Sequence, residues 1–162
     1  MFSKKNIMLE IERKFEVKNT EFLNTIKESF TITQGYLNSN KERTVRVRTK
    51  NEKGYITVKG KSSNNGLSRF EWEKEIAITD AKQLLFLCED FIIEKTRYIV
   101  PFGDVIFEVD VFHGLNEGLI MAEVELISED QKFDKPDWLG IELTNDKRYY
   151  NSYLSNNPYS KW

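Results

Sequence analysis

Carboxylates and cations recur at every second residue in this chain, a spacing that gathers like charges onto one side of an extended strand. Glu10-x-Glu12-x-Lys14 is followed by Arg46-x-Arg48, Glu71-x-Glu73-x-Glu75, Glu108-x-Asp110 and Glu123-x-Glu125. In a β-strand, residues i and i+2 share a face and stand roughly 6.5–7 Å apart. Like charges at that separation repel, and a protein tolerates them only beside water, counter-charges or metal. Carboxylates offer hard oxygens to a divalent cation, while paired arginines offer bidentate donors to phosphate. Together they point to a site that processes a polyanion.

Composition narrows the setting. With 162 residues, 40% hydrophobic and 31% charged, the chain reads as one soluble globular domain over 1–162. Its formal net charge of −2 lacks the positive balance of a nucleic-acid binder, so no nucleic-acid partner is expected. No apolar run of about 18 residues and no signal-peptide core are present, which predicts a cytoplasmic protein without a membrane partner. The one cysteine, Cys88, excludes an intramolecular disulfide and a Cys-rich zinc site; its apolar helical setting reads as core packing. A single histidine, His113, excludes a His-based metal centre. Any metal must therefore be held by oxygen, which favours Mg²⁺ or Mn²⁺. Monomer and homodimer both remain open.

The elements that must position these charges are mostly strands. Alternation predicts them at 7–17, 31–38, 43–50, 54–60, 67–77, 91–101, 104–112 and 118–127. Turn residues at 51–54, 101–104 and 114–118 separate several of them. Eight consecutive strands of similar length suggest an antiparallel meander that closes into a barrel. Helices are expected over 20–30, from an N-cap at Thr79, and after Thr144, giving an α+β class. Parity sets Glu10, Glu12 and Lys14 against Leu9, Ile11 and Phe15, and sets Arg46 and Arg48 against Val45 and Val47. An ordinary half-buried sheet would explain any one such strand. Repeated pairs and triplets, with Lys95-x-Arg97 as another cationic pair, instead fit a closed barrel with a charged, water-filled interior.

At this point the chain resembles a known family. Glu10-Ile-Glu-Arg-Lys14 matches the ExExK signature of the CYTH superfamily, the triphosphate tunnel metalloenzymes. Gln34-Gly-Tyr36, Thr44-Val-Arg-Val-Arg48, Thr57-Val-Lys-Gly60 and the Glu71–Glu75 row follow in order. So do Glu94-Lys-Thr-Arg-Tyr98, Phe107-Glu-Val-Asp-Val-Phe112, Ala122-Glu-Val-Glu125 and Asp146-Lys-Arg-Tyr149. The likeness is greatest to short bacterial inorganic triphosphatases. It implies an eight-stranded tunnel that binds a triphosphate with divalent metal.

The resemblance also implies roles. Lys14, Arg46, Arg48, Lys59 and Arg97 would grip phosphate oxygens, with Arg13 and Arg43 left outside by parity. Glu10 and Glu12 on the first strand, with Glu123 and Glu125 on the eighth, would meet at the seam and hold metal. Asp110, and less directly Glu108, would complete that shell. Glu71, Glu73 and Glu75 read as counter-charges to the arginines. Lys95, crowded by Arg97, would act either as the base or only as a phosphate ligand, with Tyr36 orienting it. Activation of water by the metal would make that base unnecessary. The expected reaction is metal-dependent hydrolysis of tripolyphosphate to pyrophosphate and phosphate, with a weaker nucleoside triphosphatase activity. The alternatives are an adenylate cyclase or thiamine triphosphatase on the same fold, or a non-catalytic polyphosphate-binding module.

Overall fold

The computed structural model describes residues 9–162, so residues 7 and 8 of the first expected strand lie outside the described residues. Among the described residues nine strands form: β1 (Leu9–Val17), β2 (Glu28–Asn38), β3 (Arg43–Lys50), β4 (Lys53–Gly60), β5 (Ser68–Ile76), β6 (Ile93–Phe102), β7 (Val105–Phe112), β8 (Ile120–Glu125) and β9 (Leu139–Glu142). The sheet runs β5-β4-β3-β2-β6-β7-β8-β1, and pairing of β5 with β1 closes eight strands into an antiparallel barrel.

The closure is not a plain meander. Two hairpin runs, β2 to β5 and β6 to β8, are joined along β2 and β6, and β1 bridges their free edges. Its first half pairs β5, through Leu9↔Phe70 and Glu10↔Arg69. Its second half pairs β8, through Glu12↔Glu125 and Lys14↔Glu123. The short β9 continues along the edge of β1 that β5 leaves open. Tight turns set the registers inside each run. At the β6–β7 turn, Gly103 takes a φ of +56, a left-handed conformation that glycine adopts without steric cost.

Packing divides the apolar residues into two bodies. Outward-facing Phe15, Phe107, Val109, Ala122 and Val124 form a core on the outside of β1, β7 and β8. It is covered by Phe22, Phe133, Trp138 and Leu139, with the Phe107 and Trp138 rings edge-on at 5.4 Å. A smaller body of Tyr36, Ile93, Phe112, Leu119, Met121 and Leu154 closes one end of the barrel interior. The apolar outer face is thus covered largely by the segment between β8 and β9, together with Phe22.

The helices differ most from the sequence reading. The stripe at 20–30 yields only a 3₁₀ turn, Glu21–Thr25. Residues 28–30 are drawn into β2 because they pair Ile99, Tyr98 and Arg97 of β6. Helix α1 (Ile78–Leu85) starts after Ala77 and has no side-chain cap, so Thr79 lies inside it. The C-terminal helix breaks at Tyr150, whose φ of −76 and ψ of 133 are extended. A 3₁₀ turn, Lys147–Tyr149, precedes that break, and α2 (Asn151–Leu154) follows. No described helix is long and apolar enough to cross a membrane. Because Phe107 is fully buried, Phe107→Ala should cost about 3–5 kcal/mol, read as a lowered urea midpoint with an unchanged slope.

Candidate active site

Alternation places the charged rows inside the barrel, around a cavity of about 260 Å³. Among the described residues seven cations line it: Lys14, Arg46, Arg48, Lys59, Arg69, Lys95 and Arg97. Seven carboxylates face them: Glu10, Glu12, Glu71, Glu73, Glu108, Glu123 and Glu125. The wall is therefore close to neutral, and its stability comes from local pairing. Lys14 Nζ donates to Glu12 at 2.6 Å and to Glu123 at 2.5 Å. Burial opposes its charge, yet the two carboxylates win and raise its pKa. Lys59 Nζ donates to Glu10 at 2.8 Å and stands 2.7 Å from Glu71, a contact whose angle is not that of a hydrogen bond. Arg69 Nε reaches Glu10 at 3.4 Å.

The two arginines of β3 are less fully neutralised. Both use one carboxylate, Glu73, at 3.3 Å from Arg46 and 3.2 Å from Arg48. The Thr57 hydroxyl fixes that carboxylate with a 2.7 Å bond and accepts from Arg46 at 3.1 Å. The Nε atoms of both arginines are buried without a partner. Burial lowers the Arg48 pKa, and the neighbouring Arg46 lowers it further. Two adjoining guanidiniums sharing one counter-charge, with donors left over, form an anion-receiving surface.

Lys95 and Arg97 stand on β6, separated from β3 by β2 alone. Arg97 donates to both Asp110 oxygens at 2.7 Å, to Glu123 at 3.0 Å and to Glu108. Lys95 Nζ donates to Asp110 at 2.6 Å and to Asn151 Oδ1 at 3.1 Å. Burial pulls its pKa down to about 8; Asp110 opposes the fall and Arg97 adds to it.

The expected residues therefore divide by position. Glu12 faces Glu125 and Lys14 faces Glu123 across the β1–β8 seam, Glu10 stands where β1 pairs β5, and all of these line the cavity with Lys59, Arg46, Arg48, Lys95, Arg97 and Tyr36. Asp110 does not. It is fully buried behind the wall, with its oxygens engaged by Lys95 and Arg97, which is the geometry of a counter-charge. Glu75 is also displaced, forming an exposed pair with Lys53 at 3.3 Å. Tyr36 is buried in the wall, where burial raises its hydroxyl pKa against the opposing field of Arg46. The partners of Lys95 are Asp110 and Asn151, not Tyr36. Arg13 lies outside, bonded to Glu142 at 2.8 Å and stacked 5.3 Å from the Phe133 ring.

Sequence reasoning missed Arg69, Thr57, Thr144, Tyr150, Asn151 and Ser152. The parity of β5 and β4 points to the first two. The others belong to the irregular C-terminal segment, where no periodicity reports facing. Among the described residues, no three carboxylates stand together as a ready metal shell. The donor chemistry nonetheless suits a hard cation. Burial raises the Glu125 pKa, and Glu10, Glu108, Glu12 and Glu71 raise it further, so this mouth has excess negative charge.

Known proteins share this architecture. The CYTH domain model matches residues 8–156, and the chain belongs to that family. It is 47% identical to an inorganic triphosphatase of Acetivibrio thermocellus over 154 residues, covering 94% of this chain and 97% of the relative. An inorganic triphosphatase of Nitrosomonas europaea is 40% identical over 153 residues, covering 91% and 97% respectively. The crystal structure of an inorganic triphosphatase superposes with a TM-score of 0.64 at 36% identity, covering 90% of this chain and 93% of that one.

An anion-receiving β3 predicts ligand stabilisation. Tripolyphosphate at 100 times its Kd should stabilise the protein by about 2.7 kcal/mol, and the shift in Tm should collapse at that concentration in Arg46→Gln/Arg48→Gln.

Proposed function

We propose that this protein is a metal-dependent inorganic triphosphatase that hydrolyses tripolyphosphate to pyrophosphate and phosphate. The observation that carries this reading is the pair of under-neutralised guanidiniums facing a cavity of about 260 Å³. That volume lies just below the roughly 300–1,000 Å³ of pockets for drug-sized ligands. It suits a bare phosphate chain better than one carrying a nucleobase or thiazolium. The identity to two inorganic triphosphatases supports the same reading.

Charge balance supports the metal. A triphosphate brings about four to five negative charges near neutral pH, and a lumen with as many carboxylates as cations cannot offset them. Glu12 and Glu125, joined by Glu10 and Glu123 on exchange of their bonds to Lys59, Arg69, Lys14 and Arg97, would hold Mg²⁺ or Mn²⁺, which would neutralise phosphate charge and polarise the reacting oxygens. Asp110 is assigned to hold Lys95 and Arg97. Arg46, Arg48, Lys14, Lys59 and Arg97 grip and align the chain. Water attacks the terminal phosphorus, its proton passes to neutral Lys95, and the bridging P–O bond breaks to release pyrophosphate. Cations along the chain stabilise the oxygen that leaves.

Incubation with Mg²⁺ or Mn²⁺ and, separately, tripolyphosphate, ATP and thiamine triphosphate tests the reading. Tripolyphosphate should turn over fastest, giving equal pyrophosphate and phosphate; cyclic AMP, or no turnover of any substrate, would refute it. Glu12→Gln should lower turnover by about 100-fold or more, whereas Arg13→Gln should leave it near the parent value and cost about 1 kcal/mol of stability. The base role fixes a sign in pH. A lysine must be neutral to accept a proton, so kcat/KM should rise as pH climbs through about 8. A lysine that only grips phosphate would give a fall over the same range.

A further inference from the structure

We infer that Asn151 is a positioning residue that sets the rotation of the Lys95 ammonium, so that its one uncommitted position faces the cavity. This rests on the triphosphatase reading above for its kinetic consequence and on geometry for its cause. A lysine nitrogen is tetrahedral, with three positions besides its carbon. Asp110 Oδ2 takes one at 2.6 Å and Asn151 Oδ1 a second at 3.1 Å. The Phe112 ring, 5.3 Å away, bounds the apolar side. The third position is left to the cavity that Lys95 lines. Asp110 alone fixes one bond and leaves the ammonium free to turn about it; a second acceptor removes that freedom.

The surroundings favour an acceptor at this point. Gln34 is fully buried on β2, and its Nε2 donates to the same Asn151 Oδ1 at 3.4 Å, turning the amide oxygen toward Lys95. Three residues on, Leu154 is fully buried among Tyr36, Ile93, Phe112 and Met121. Positions i and i+3 share a helix face, so the anchoring of Leu154 brings Asn151 to the lumen. Phe91 N, which donates to Ser155 O at 2.9 Å, holds the end of α2 from outside.

The test compares Asn151→Leu, similar in size without the acceptor, with Asn151→Asp, which keeps it. At the plateau of each variant's own pH profile, Asn151→Leu should lose about 10- to 100-fold in kcat with KM within about threefold. Asn151→Asp should recover most of that loss, and thermal melts should show both variants folded. An Asn151→Leu enzyme with unchanged kcat, a change confined to KM, or an Asn151→Asp enzyme equally impaired would overturn the inference. A wild-type protein that turned over no triphosphate would instead refute the functional reading. The geometric claim is then decided by ¹⁵N-lysine NMR near pH 6. Lys95 Nζ protons should exchange with water about tenfold faster in Asn151→Leu than in the parent, the factor expected for one hydrogen bond to a charged group. Equal exchange rates would overturn it.

Discussion

Charge neutrality inside a closed wall governs this structure. Among the described residues seven cations and seven carboxylates share one lumen, and removing one member of a buried pair typically costs about 3–5 kcal/mol because its partner is left uncompensated. The pairs therefore depend on one another. Glu123 links Lys14 to Arg97, and Asp110 links Arg97 to Lys95. Burial alone would raise the Glu123 pKa, but Lys14 and Arg97 hold it well below the usual carboxylate range. Their contribution to stability is complete above the ordinary value near 4.5 and is lost as pH falls toward the depressed one. At neutral pH Glu123 is ionised and ties Lys14 of β1 to Arg97 of β6 from its place on β8.

That constraint explains why the pairing is uneven. A wall with every charge satisfied would be rigid and would have little affinity for a polyanion. Here the seam side is satisfied by short bonds, while Arg46 and Arg48 share Glu73 across 3.2–3.3 Å and keep buried donors unpartnered. The unmet demand is concentrated where β3 faces the cavity. At the mouth the imbalance has the opposite sign, with Glu125 crowded by four other carboxylates. Separated positive and negative deficits are what a phosphate chain and a cation would each neutralise, one beside the other.

Much of this was legible because a strand's period is two. Once a strand exists, parity alone assigns Glu10, Arg46, Lys59, Glu71 and Arg97 to one face, and it excludes Arg13 as the structure does. Depth was not legible. Glu108 and Asp110 share a face, yet Glu108 lines the cavity while Asp110 is enclosed behind two cations. Strand order was only partly legible: β1 meets β8 as parity and closure suggested, but its place beside β5 depends on no local turn. The stripe over 20–30 failed for a related reason. Pairing of residues 28–30 with β6 took the end of the stripe into the sheet against a modest helical preference.

The C-terminal segment shows where such reading stops. Tyr150 interrupts the helix with one extended residue, and nothing in its type demands that. The break follows from two anchors that are satisfied together. Asp146 caps the preceding 3₁₀ turn through Arg148 N, and Leu154 fills the apolar end of the barrel. Asn151 and Leu154, three residues apart on α2, turn to the same side beyond that break. The geometry around Lys95 is therefore a product of tertiary packing at the barrel end. Closing that end with Leu154 and completing the polar contacts of Lys95 are one structural event, which ties the shape of the site to the docking of α2.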